Sequence, residues 1–63
     1  MKKIEVHHGI FVIKIVHNDE DEYPNRWYLY INEHGIEKHR KVVSQKLNSD
    51  QLERYLEKWL AKH

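Results

Sequence analysis

The stretch from Asn48 to Lys62 limits what this chain can become more than any other. Leu52, Tyr55, Leu56, Trp59 and Leu60 recur at i, i+3, i+4, i+7 and i+8, one apolar stripe of an amphipathic helix. Asn48 reads as its N-cap, Gln51 completes a capping box, and Leu47 and Leu52 occupy the positions of a hydrophobic staple. Asp50 suits the N-terminal end of the helix dipole, and Lys58 and Lys62 the C-terminal end. With 63 residues and no cysteine, the chain is near the lower limit for an unassisted core. A single small domain over residues 1–63 is expected, with a core built under that one stripe.

The remainder reads as strands. Trp27, Leu29 and Ile31 alternate with Tyr28, Tyr30 and Asn32, giving an apolar face and an aromatic-polar face. This strand is expected over Arg26 to Asn32, with Glu33-His34-Gly35 turning the chain. Lys2 to His7 and Ile10 to His17 read as a hairpin around His8-Gly9. Pairing His7 with Ile10 puts Ile4, Val6, Phe11, Ile13 and Ile15 on one face; Lys3, Glu5, His7, Ile10, Val12, Lys14 and Val16 fall on the other. One long strand bulged at Gly9 is the alternative. Asn18 to Asn25, acidic and holding the only proline, is a connection. Ile36 to Val43 is a fourth strand in which Ile36 and Val42 share parity around Lys38 and Arg40, a charge density suited to a sheet edge. The expected fold is α+β: a four-stranded antiparallel meander followed by one C-terminal helix on one face, β-β-β-β-α. The helix stripe should pack on Ile4, Val6, Phe11, Ile13, Ile15, Trp27, Leu29 and Ile31.

Several function classes find no support. The longest apolar run, Ile10 to Ile13, is too short for a membrane span. No hydrophobic segment follows the basic start, so no signal peptide is expected and a cytoplasmic location is the default. There is no cysteine nucleophile, Ser49 is better used at the helix start, and Glu5, Glu33 and Glu37 show no spacing that demands a pocket. Gly9 and Gly35 are the only glycines, so no phosphate-cradling loop exists, and no enzyme activity or cofactor is expected. The six histidines, His7, His8, His17, His34, His39 and His63, are scattered without a helix pair or cluster, so no metal site is expected.

Charge supplies the candidate site. Eleven basic and ten acidic residues nearly cancel, but Asp19 to Glu22 is an acidic block, and Arg26, Lys38, Arg40, Lys41 and Lys46 outnumber Glu33 and Glu37. One helix covers one sheet face only. The other carries Ile10, Val12, Val16, Tyr28 and Tyr30 among Lys14, Arg26 and His7, which points to a homodimer through the sheet or to a binding platform. Tyr28 and Tyr30 would stack on bases while Lys14, Arg26, Lys38, Arg40 and Lys41 track phosphates, the recipe for single-strand binding. Near-neutral net charge counts against it, because non-specific affinity follows phosphate neutralisation. Two functions are therefore expected to compete. One is a non-enzymatic domain binding single-stranded DNA or RNA, as a homodimer. The other is a small protein-binding inhibitor or adaptor of phage or mobile-element type, docking a host protein through the open face and the acidic loop.

Arg40-Lys41-Val42-Val43 leading to Leu47-Asn48-Ser49-Asp50-Gln51-Leu52 resembles the positive-cofactor-four transcriptional coactivators. There a basic strand end likewise runs into a leucine, a capping residue, acidic or amide residues and a large apolar residue. That class, with the Pur repeats, combines a four-stranded antiparallel meander with one helix, so the resemblance implies dimerisation and single-stranded nucleic-acid binding. The chain departs from it at Val42, where the coactivators favour glycine, and at Ser44 to Lys46, which lengthens the approach to the helix. A second similarity is to the arm-binding N-terminal domains of phage-type integrases, which pair an aromatic strand, a turn glycine and a basic strand with a helix.

Overall fold

The computed structural model describes residues 2–62. Four strands, β1 (Lys2–His8), β2 (Phe11–His17), β3 (Trp27–Glu33) and β4 (Ile36–Val43), precede one helix, α1 (Ser49–Lys62). They form one open antiparallel sheet in the order β1-β2-β3-β4, so the α+β meander with a C-terminal helix is the fold. Among the described residues, no helix is long and apolar enough to cross a membrane.

The core follows from the periodicities. Ile13 and Ile15 of β2, Leu29 and Ile31 of β3, and Leu52 and Leu56 of α1 are fully buried. Ile4, Val6, Phe11, Trp27, Leu47, Tyr55, Trp59 and Leu60 surround them. Trp59 meets Phe11 edge to face, with ring centroids 6.3 Å apart. The helix begins as its capping box dictates. The Asn48 N–H donates to Gln51 Oε1 at 2.8 Å, and the Gln51 N–H donates to Asn48 Oδ1 at 2.9 Å.

The first hairpin turns one residue later than its sequence suggests. His8 pairs with Phe11, His7 with Val12 and Val6 with Ile13, so the turn is Gly9-Ile10 rather than His8-Gly9. A His8-Gly9 turn would force histidine to positive φ at its first central position. Gly9-Ile10 needs it only of glycine, and Gly9 has φ +61°. The pairing moves by an even step, so every side chain keeps the face assigned to it. His34 and Gly35 form the two-residue turn between β3 and β4, both at positive φ (51° and 78°). The His34 N–H also donates to the Ile10 carbonyl at 3.0 Å, tying the two turns together.

β4 holds a second departure. Its register slips opposite Ile31 and Asn32: His39 pairs with Ile31 and Glu37 with Asn32, leaving Lys38 as the extra residue of a bulge. Ile36 therefore pairs with Glu33 on the helix side, whereas Val42 pairs with Tyr28 on the open side, despite their shared parity. Nothing in the composition of Ile36 to Val43 announces that slip.

Candidate nucleic-acid interface

The sheet face away from α1 is a grid of cross-strand rows. One row runs Lys3, Val16, Tyr28, Val42; the next Glu5, Lys14, Tyr30, Arg40; the third His7, Val12, Asn32, Glu37. At the centre Tyr30 is bracketed by cations from both neighbouring strands. Lys14 Nζ lies 5.5 Å from the ring centroid and Arg40 Cζ 5.4 Å. The apolar members of this face are better covered than the sequence implies: Val12, Val16, Tyr28 and Tyr30 are half-buried, while Ile10 and Val42 remain exposed.

Carboxylates are threaded through the same grid. Glu5 pairs with Lys3 at 3.0 Å and with His7 at 3.3 Å. The hydrogen bond from Lys3, then that from His7, holds the Glu5 carboxyl below its ordinary range. Arg40 Nη2 pairs with Glu37 Oε2 at 3.2 Å. Lys3, Lys14, Arg26 and Arg40 thus stand against Glu5, Glu37 and Asp21 on or beside the face.

The acidic connection is folded back onto the sheet. Asn18 Oδ1 accepts the Glu20 N–H at 3.0 Å and Asp21 Oδ1 accepts the Tyr23 N–H at 2.9 Å, two successive Asx turns. The Tyr28 hydroxyl donates to Asp21 Oδ2 at 2.7 Å and receives a longer contact from Arg26 Nη1 at 3.5 Å. The Tyr28 hydroxyl, then the Tyr23 N–H, lowers the Asp21 pKa. Arg26 also lies 4.0 Å over the Tyr23 ring. His17 secures the other side, donating from Nε2 to the Pro24 carbonyl at 2.7 Å with its ring 4.8 Å from Trp27. The Asp21 carboxylate is therefore occupied internally, and so is the polar end of Tyr28.

The structure thus gathers Lys14, Arg26, Tyr28, Tyr30 and Arg40 at one face and separates Lys38 and Lys41 from them. Lys41 pairs with Leu29 on the helix side and lies 5.7 Å over the Tyr55 ring. Lys38, at the bulge, reaches Glu33 at 3.9 Å. Alternation alone sends Arg40 and Lys41 to opposite faces.

Two concavities escape sequence reasoning. A groove of about 280 Å³ between β4 and α1 is lined by His39, Lys41, Tyr55, Lys58, Trp59 and Lys62. In its wall the Tyr55 hydroxyl meets His39 Nε2 at 2.8 Å, and burial raises the Tyr55 pKa. The placement of Lys58 and Lys62 four apart beside Tyr55 and Trp59 was the available signal, one absorbed by helix-dipole reasoning. A shallow groove of about 610 Å³ lies where the acidic connection meets the approach to α1, with Tyr23, Arg26, Val42, Val43 and Leu47 among its walls. Among the described residues no three metal-ligating side chains converge, and His63 lies outside those residues. No protein-family model, no curated protein and no solved structure matches the chain.

Proposed function

We propose that this chain is a non-enzymatic binding domain for single-stranded DNA or RNA, acting through its open sheet face. The observation that carries the reading is Tyr30, held mid-sheet between Lys14 and Arg40. A base stacks on the ring while the flanking cations meet the phosphates on either side. Tyr28 flanks this point, its orientation fixed by Asp21, and Arg26 adds a cation at the same end. The resemblance to the coactivator class favours the same ligand. The interleaved Glu5, Asp21 and Glu37 offset long-range attraction, so binding is expected to be moderate and to weaken steeply with salt.

Titration with labelled single- and double-stranded oligonucleotides of one sequence, at low and moderate salt, tests the reading. Preferential single-strand binding that weakens with salt supports it. No binding at micromolar protein in low salt refutes it.

The protein-binding reading keeps one specific observation. The groove of about 610 Å³ beside Val42 and Tyr23 (51% and 53% exposed) supports it, since an extended peptide of a host protein would lie along those apolar side chains. A stoichiometric protein partner that survives nuclease treatment would favour it. A homodimer would use the open face itself, and so would compete with the strand. Light scattering with and without oligonucleotide separates the two, since a face-to-face dimer dissociates as the strand binds.

A further inference from the structure

The groove between β4 and α1 concentrates positive charge that no ion pair among the described residues balances. Of the described residues, its walls take Lys41, Lys58 and Lys62 with His39, Tyr55 and Trp59, and no carboxylate. Among the described residues none of these three lysines forms an ion pair. Lys58 and Lys62 stand four apart on the helix, where like charges repel. The helix dipole accounts for a lysine at the end of α1, but it does not account for Lys41, which comes from β4. The open face differs, because each cluster of cations there has a carboxylate beside it.

β4 is an edge strand, with no neighbour beyond it in the sheet. Arg40 and Lys41 are consecutive and project to opposite faces across that edge. We infer that the β4–α1 groove is a second contact site for the same single strand, whose phosphates pass over the β4 edge onto Lys41, Lys58 and Lys62. The inference rests on the nucleic-acid reading of the open face and extends it to a wrapped path. The rings of Trp59 and Tyr55, which already meet His39 at 6.0 and 5.8 Å, line this second site, and the three lysines supply its phosphate contacts.

The test combines salt dependence with fluorescence. A single-stranded oligothymidylate is titrated against wild type, Lys41→Gln/Lys58→Gln/Lys62→Gln, and Lys2→Gln as a control on the far edge strand. Three phosphate contacts on a single strand are worth about 2 in the slope of log K against log salt. The triple variant should lose about that much slope and bind about tenfold or more weakly at low salt, while the control matches wild type. In a Trp27→Phe background, where Trp59 is the only tryptophan, the oligonucleotide should quench the emission. A triple variant with wild-type affinity and slope overturns the second site while leaving the open-face reading intact. Quenching of Trp59 by polyglutamate but not by oligonucleotide also overturns it, because the groove would then take an acidic peptide. Absence of any oligonucleotide binding by wild type refutes both readings. The lysine substitutions lie on the surface, so the slope measurement stands even where Trp27→Phe disturbs folding.

Discussion

Tyr30 is where the proposed function and the fold can be separated by experiment. Tyr30→Leu keeps apolar bulk at the centre of the open face but removes the π surface that meets Lys14 and Arg40 at 5.5 and 5.4 Å. Cation–π contacts at exposed sites are worth about 0.5–1 kcal/mol each, so losing both costs about 1–2 kcal/mol of stability. A domain of this length is expected to have about 3–9 kcal/mol in total, so the variant should remain folded. Stacking on one base is worth about 1–3 kcal/mol, which corresponds to a loss of roughly five- to 150-fold in affinity for a single strand. Tyr30→Phe retains the ring and should bind within about twofold of wild type. The assay is an anisotropy titration with labelled oligothymidylate, run beside urea denaturation of each variant. Tyr30→Leu that is folded and binds as wild type does would refute the stacking argument. So would an equal loss in Tyr30→Phe, which would shift the interaction from the ring to the hydroxyl.

Three further predictions concern the frame around that face. Leu56 is 1% exposed beneath the helix, so Leu56→Ala should cost about 2–5 kcal/mol by urea denaturation, and a loss below about 1 kcal/mol would show that α1 contributes little to the core. The Asp21 pKa is lowered chiefly by the Tyr28 hydroxyl, so its contribution to stability is present above the ordinary aspartate value and is lost as pH falls through the lower folded value. Asp21→Asn should therefore flatten the fall in melting temperature below about pH 5, leaving the acid dependence of Glu5 and Asp19, whose carboxyls are also held below their ordinary range; an unchanged profile would contradict the Tyr28 contact. His34 holds φ 51° before Gly35, and asparagine tolerates that conformation better, so His34→Asn should raise stability by about 0.5 kcal/mol; a fall in melting temperature would count against the turn assignment.

The sequence carries the elements of this fold because each is written in a pattern that local physics enforces. The stripe from Leu52 to Leu60 places α1 and the Asn48–Gln51 pair fixes its start at Ser49, with both capping hydrogen bonds present. Alternation in Trp27 to Asn32 separates core from open face correctly. The hairpin register is less legible, since turns at His8-Gly9 and Gly9-Ile10 preserve the same faces and differ only in which residue must take positive φ. The internal use of Asp21 is less legible still, because an acidic run beside a proline gives no sign that Tyr28, seven residues on, will bind it.

The bulge at Lys38 matters most for the proposed function. Read without it, Ile36, Lys38, Arg40 and Val42 fall on one face, and the charges of β4 look like a single basic stripe. With it, Ile36 faces the helix side, Lys38 stands at the slip in register, and only Arg40 and Val42 belong to the open face. Lys41 then joins Lys58 and Lys62, residues that sequence reasoning assigned to the helix dipole alone. The basic character of β4 is thereby divided between a charge-balanced sheet face and an unbalanced groove. Near-neutral net charge argues against nucleic-acid binding only where charge is evenly spread. Here Glu5, Glu37 and Asp21 offset the cations of the open face, while the described lining of the groove holds no carboxylate, so a strand that crosses the β4 edge would meet its strongest phosphate contacts behind the sheet.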